Sequence, residues 1–356
     1  MITKGKFVSI FHVMWQIYHT PRRCSACTII LNSRILRLCT FNLNRSGANR
    51  LAHRLQFEQT IRDAVEFHGV GIHSGAPVQM RLLPAPAGAG ILFRRTDLDN
   101  FEIPAVGRNV AKVSYATSLM RQGVLISTTE HLLSALIGFG VDNVIVELNN
   151  LELPILDGSA LPYIEAFQSV GLETQRRRRE YLRIRKEVEV RDGGKFIGIY
   201  PGEGYSVSYA IDFPSPIGQQ SFHLDLDTGA YAAEIAAART FGFQEDEQNL
   251  RNMGLIRGAS QENAIILTRT GVVNGPLRFD NEFVRHKVLD LIGDLALAGR
   301  QIQGRVVAER AGHAMHTALV SRLMRDRSAW ELVHLPATAE SAPRAARMAS
   351  AIPATA

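Results

Sequence analysis

The stretch Arg285-His286-Lys287-Val288-Leu289-Asp290-Leu291-Ile292-Gly293-Asp294 constrains this chain most. Residues four apart share a helix face, so His286, Asp290 and Asp294 fall on one polar line. Val288, Leu289, Leu291 and Ile292 supply the apolar surface around it. An imidazole and a carboxylate one turn apart can reach a single metal ion. Taken alone, the short pattern also describes a surface His–Asp pair or acids capping a helix start. A second cluster, Thr128-Thr129-Glu130-His131-Leu132-Leu133, opens another apolar helix. Ser127 and Glu130 have the spacing of a capping box, in which the Glu reaches back to the N-cap amide. His131 alone reads as a satisfied core histidine. No HExxH is present, so a zinc site has to be assembled from distant segments. One histidine from this cluster, with His286 and Asp290, makes three protein ligands and leaves a fourth tetrahedral position for water, as catalytic zinc requires. A third cluster is Ala311-Gly312-His313-Ala314-Met315-His316. A Gly before a His near a helix start lets backbone approach a ligand closely.

The length of 356 residues suggests two domains, and 46% apolar content allows a sizeable core. A pI near 9.4 points toward nucleic acid or membrane. That basicity is local, however. Residues 1–56 carry Lys4, Lys6, Arg22, Arg23, Arg34, Arg37, Arg45, Arg50 and Arg54 with no Asp or Glu. Removing these nine charges from the formal +6 leaves the body at −3, which argues against a nucleic-acid partner. Cys24, Cys27 and Cys39 lie in the same segment. Cys24-x-x-Cys27 has no second CxxC to complete a zinc ribbon and reads as an unpaired motif. The cysteine-free body fits a reducing compartment. The apolar run Phe7 to Tyr18 faintly resembles a signal peptide but is too short to span a bilayer. Residues 1–56 are therefore expected to be a disordered or non-native extension, with the true start near Leu51–Phe57.

In the body, Phe57 to Phe67 reads as a strand before the turn Gly69-Val70-Gly71, followed by strands at Pro77 to Leu83 and Gly90 to Arg94. Helices are predicted at Ser127 to Ile137, with Ser127 as N-cap and Gly138 as stop, and at Ala160 to Val170, closed by Gly171. Val144 to Leu148 lies between them as a buried strand. Arg176 to Arg179 reads as a solvated linker. Strands resume at Ile184 to Val190 and Phe196 to Tyr200 around the Asp192-Gly193-Gly194 hairpin turn, then at Tyr205 to Phe213, Phe222 to Leu226, Ala264 to Thr268 and Ile302 to Glu309. Helices are predicted at Ala230–Ala238, Phe283–Ala298 and Gly312–Met324. Each half thus has strands followed by paired helices. The expected fold is α+β: two domains of similar plan (57–175 and 181–336), each a sheet with helices on one face, and helices sandwiched between the sheets. The tail 337–356 is Ala-rich and expected to be disordered.

The matching stretches HGVGIHSG (68–75), GILFRRTDL (90–98), ISTTEHLLSALIGFGVDN (126–143), ELPILDGSA (152–160), ARTFGF (238–243), LRFDNEFVRHKVLDLIGD (277–294) and AGHA (311–314) resemble the UDP-3-O-acyl-N-acetylglucosamine deacetylases, zinc enzymes of lipid A biosynthesis. They follow the family's order over roughly residues 57–335. The resemblance implies one catalytic Zn2+ held by His131, His286 and Asp290. It implies Glu130 as general base, His313 as general acid held charged by Asp294, and Thr240 as a hydroxyl bonding the developing oxyanion. For substrate it implies Lys287 on sugar or phosphate oxygens, Phe241 and Phe243 as an apolar wall, Phe213 stacking on uracil, Lys195 on phosphate, and His73 close to the zinc. An acyl channel is implied in the insert around 243–266. Leu250, Met253, Leu255, Ile256 and Ile265 are its lining candidates, with Arg251 and Arg257 turned outward. The implied protein is a cytoplasmic monomer acting on a UDP-linked acylated amino sugar, without nucleic acid or stable membrane insertion. The alternatives are a zinc hydrolase of another N-acyl sugar and a non-catalytic protein of the same fold.

Overall fold

The computed structural model describes residues 55–111 and 115–336. The expectations for the basic N-terminal segment, its cysteines and the tail lie outside the described residues, apart from Leu55 and Gln56.

Two sheets carry most of the strands. β2 (Val65–Val70), β3 (Pro77–Pro84), β4 (Ile91–Arg95), β5 (Phe101–Pro104) and β8 (Val144–Leu148) form the first, in the order β2-β3-β8-β4-β5. β1 (Phe57–Ile61) pairs antiparallel with β9 (Leu172–Arg178), and β6 (Leu119–Arg121) with β7 (Val124–Ile126). The second sheet contains β10 (Tyr181–Ile184), β11 (Val188–Asp192), β12 (Lys195–Tyr200), β13 (Tyr205–Phe213), β14 (Gly218–Asp225), β18 (Gln301–Glu309) and β19 (Trp330–Val333). Its spine is β18, which pairs with β10, β12 and β13. A small sheet of β15 (Phe241–Phe243), β16 (Ile265–Thr268) and β17 (Gly271–Val272) completes the set. Alternation explains the facing of these strands. On β3, Val78, Met80 and Leu82 are buried while Gln79 and Arg81 face out, the period-two pattern of a sheet with one wet face.

The helices are α1 (Glu130–Phe139), α2 (Leu161–Val170), α3 (Thr228–Glu234), α4 (Glu247–Asn252), α5 (Glu282–Leu295) and α6 (His313–Arg325). α1 packs along α5, α5 lies on β13 and β14, α6 covers β11 and β12, and α2 contacts β2. The chain is therefore α+β, with α1 and α5 at the centre. Nearly every residue of both is buried. Gly293 permits their close approach, because a Cβ there would overlap the Glu130 carbonyl. The polar line of α5 is thereby pressed against the start of α1, and His286, Asp290 and Asp294 are all buried. A surface His–Asp pair is excluded.

Several local expectations need correction. The single strand expected over 57–67 breaks into β1 and β2 around Arg62 and Asp63, and Ile184–Val190 breaks around Arg185-Lys186-Glu187, where charges interrupt the apolar run. α1 starts at Glu130 rather than Ser127 and runs to Phe139, where Gly140 at φ 86° closes it in place of Gly138. The Ser127 hydroxyl meets Ser118 at 2.9 Å instead of capping. The Arg run is not a hydrated linker throughout. Arg176 to Arg178 are exposed on β9, but Arg179 is buried and bonds Asp142 at 2.6 Å and the Gly140 carbonyl at 2.8 Å. A buried guanidinium needs such partners, and a C-terminal helix carbonyl supplies one.

Gly293→Ala tests the central contact. Overpacking of this kind is expected to lower the unfolding free energy by about 1–3 kcal/mol or more, read as a lower urea midpoint at unchanged m-value. An unchanged midpoint contradicts the close approach.

Candidate metal centre and active site

The donors of His131, His286 and Asp290 lie within 4.8 Å of one another. Asp290 Oδ1 is 3.3 Å from His286 Nε2 and 3.7 Å from His131 Nε2, and the two rings stand edge to face at 5.0 Å. His286 Nδ1 sits 3.1 Å from the Ala238 carbonyl oxygen. A carbonyl can only accept, so the proton is on Nδ1 and Nε2 offers its lone pair toward Asp290. Burial pushes His286 down to about 3 and lowers His131 as well, so both imidazoles are neutral at pH 7. Burial opposes the Asp290 charge, but in the acid range where it titrates a protonated His286, together with Lys287, outweighs burial and holds the carboxyl well below its usual range. Lys287 Nζ bonds Asp290 Oδ2 at 2.8 Å, whereas buried Oδ1 has no hydrogen-bond partner. Asp290 Oδ1 faces the lone pair of His286 Nε2, with His131 Nε2 close by, and that juxtaposition is unfavourable unless a cation sits between them. The donor set therefore fits a metal ion.

Beside these donors lie Glu130 and His313. Glu130 Oε2 accepts the Thr117 N–H at 3.1 Å, and Oε1 faces His313 Nε2 at 3.8 Å. The capping box is thus not formed: Thr129 leads into α1 without a side-chain cap bond, and the Glu130 carboxylate is left for the site. Burial pushes Glu130 up to about 7, against the pull of His313. His313 starts α6, with Nδ1 2.7 Å from Asp294 Oδ2. Burial works against its charge, but Asp294 outweighs burial and raises His313 to about 10.

A cavity of about 370 Å³ opens from this cluster. Its walls include His73, Glu130, His131, Thr240, Phe241 and Phe243. Lys287 lies over the Phe241 ring at 5.3 Å, and Phe213 meets that ring edge-on at 5.5 Å. Lys195 is exposed at the β11–β12 hairpin and is not among the cavity residues, although that hairpin pairs with the end of β18 that leads to His313. Of the predicted channel residues, Leu250 and Ile256 line the cavity. Met253 is 62% exposed, and Ile265 is fully buried in the core. Alternation on β16 turns Ile266 to the cavity instead. Arg251 corrects the expectation that it points away, because it lines the wall and pairs with Glu247 at 2.9 Å. Arg257 does not line it.

A sequence model of the UDP-3-O-acyl N-acetylglycosamine deacetylases matches residues 58–325. A UDP-3-O-acyl-N-acetylglucosamine deacetylase of Solibacter usitatus is 55% identical over 280 residues, covering 78% of this chain and 95% of the relative. One from Myxococcus xanthus is 47% identical over 279 residues (78% and 89%), and one from Xanthomonas oryzae pv. oryzae 45% over 291 (80% and 96%). The chain belongs to this deacetylase family.

Supporting residues that the sequence motifs did not single out hold this family's motifs together. Buried Glu152 of ELPILDGSA accepts the main-chain N–H groups of His73 at 2.9 Å and Ser74 at 2.7 Å, and the Thr128 hydroxyl at 3.0 Å, so it shapes the His73 loop. Glu282, fully buried at the start of α5, receives Arg239 Nε at 2.8 Å and the Arg239 N–H at 3.0 Å, fixing the loop that bears Ala238 and Thr240. His316 bonds Asp294 Oδ2 at 2.8 Å and the Tyr209 hydroxyl at 3.1 Å. The available signal for Glu282 was its place in the LRFDNEFVRHKVLDLIGD stretch. Thr117 and Tyr209 carried none, lying in no motif.

His286→Ala and Asp290→Ala are each expected to lose bound metal, whereas His313→Ala keeps it. Elemental analysis of purified protein checks this, and full metal content in His286→Ala contradicts the donor set.

Proposed function

We propose that the chain hydrolyses the acetamide of UDP-3-O-(3-hydroxyacyl)-N-acetylglucosamine, releasing acetate in an early, committed step of lipid A biosynthesis, with one Zn2+ on His131, His286 and Asp290. The partnerless Asp290 Oδ1 beside the Nε2 atoms of His286 and His131, with Glu130 and His313 alongside, carries this reading. Zinc, when bound, supplies a Lewis acid that polarises the acetamide carbonyl and lowers the pKa of a water.

The chain's own residues then divide the proton transfers. Glu130 takes a proton from water as its oxygen bonds to the carbonyl carbon. Thr240 donates to the developing oxyanion. As the C–N bond breaks, His313 gives its Nε2 proton to the departing amine and becomes neutral, its Nδ1–H still held by Asp294. Lys287, Phe241 and Phe243 receive the sugar, with Phe213 toward the uracil and Lys195 toward phosphate. The acyl chain enters the cavity past Leu250, Ile256 and Ile266, where each buried methylene contributes about 0.8 kcal/mol. No helix among the described residues is long and apolar enough to cross a membrane.

Acetate release from the UDP-linked acyl sugar tests the reading directly. Glu130→Ala is expected to lose about 10²–10⁴ in kcat with metal retained, and activity near the parent's contradicts its role as base. The pH profile is expected to be a bell. Glu130 must be ionised, so activity rises with pH through its value, raised toward about 7. His313 must be protonated, so activity falls as pH rises through its value, raised toward about 10. A bound dication lowers both values without exchanging the limbs. Residual activity of Glu130→Gln is expected to lack the acid limb, and an intact limb contradicts the assignment.

A further inference from the structure

Thr117 is fully buried between the elements that carry the acid and the base. Its main-chain N–H donates to Glu130 Oε2 at 3.1 Å. Its hydroxyl donates to Asp294 Oδ1 and lies 3.3 Å from His313 Nδ1. Its carbonyl accepts the Thr129 N–H at 3.2 Å and the Thr129 hydroxyl at 3.1 Å, which locks it to the start of α1. One residue thus touches Glu130, Asp294 and His313 while anchored to the segment that leads into Glu130 and His131.

The chemistry of each contact is directional. An N–H on Oε2 leaves Oε1 as the oxygen turned toward His313. A hydroxyl has one proton, and giving it to Asp294 Oδ1 leaves Oδ2 to accept from His313 and His316. Without the hydroxyl, buried Oδ1 loses a donor, and the carboxylate is free to rotate its two oxygens relative to His313.

We propose that Thr117 is a positioning residue of the hydrolysis, aiming Glu130 through its main chain and His313 through Asp294. The proposal rests on the roles given above to Glu130 and His313. Thr117→Val keeps the N–H and nearly the volume and removes only the hydroxyl. It is expected to lower kcat about 10- to 100-fold, the range of a hydrogen bond to a charged group, with KM and zinc content held. Thr117→Ser restores the hydroxyl and is expected to stay within about threefold of the parent. In an Asp294→Asn background the Thr117→Val loss is expected to disappear, because the hydroxyl acts through that carboxylate. If Thr117→Val does not fold, Thr117→Ala in the same cycle gives the same readout. A kcat for Thr117→Val near the parent's, equal losses in the Val and Ser variants, or an undiminished loss in the Asp294→Asn background each overturns the proposal. Glu130→Ala and His313→Ala are assayed alongside: activity retained there sinks the acid–base reading itself, whereas activity lost there but kept in Thr117→Val sinks only the role of Thr117.

Discussion

The contact between α1 and α5 is the constraint on which the rest depends. Neither helix carries a complete site. α1 brings Glu130 and His131, and α5 brings His286, Asp290 and Asp294. Only a glycine at 293 lets the backbone of one reach the carbonyl of the other, so that a two-helix core becomes a cluster of five ionisable side chains. Burial of ionisable groups is unfavourable unless each finds a partner. The arrangement meets that demand with Lys287 on Asp290, the Ala238 carbonyl on His286, and His313, His316 and Thr117 on Asp294. The group left unmet is Asp290 Oδ1, at the point where the imidazole nitrogens converge.

Two buried carboxylates end on opposite sides of their ordinary values because their donors differ in number. Burial raises both. Glu130 keeps one main-chain N–H and a facing imidazole and rises to about 7, where a base can both take and release a proton. Asp294 receives two imidazole N–H groups and a hydroxyl, and these outweigh burial and keep it ionised below its usual range. The Asp294 charge beside His313 is therefore favoured, while the Glu130 charge is conditional on pH. That separation suits the proposed roles, with Glu130 as base and Asp294 as the fixed charge beside the acid His313.

Much of this was legible in the sequence. Spacing of four placed His286, Asp290 and Asp294 on one helix face, and period-two alternation located β3, β13 and β18 within a residue or so. Misreadings arose where tertiary partners overrode local pattern. Ser127 was expected as the N-cap of α1, yet its hydroxyl meets Ser118 and the helix starts at Glu130, whose carboxylate meets Thr117 and His313 instead of forming the rival capping box. Arg179 reads as solvated from its neighbours, and only the fold reveals Asp142 beside it. Arg251 lies on the cavity wall because Glu247, one turn earlier on the short α4, neutralises it there. Thr117 and Tyr209 were invisible because hydrogen bonding to residues far along the chain leaves no local signature.

In the proposed site His131, His286 and Asp290 share one cation. X-ray absorption at the zinc edge of the metal-loaded protein reads that shell directly. Two imidazole nitrogens and oxygen are expected at about 2.0–2.2 Å with no sulfur. A thiolate shell at about 2.3 Å, or oxygen scattering without imidazole, would contradict that site.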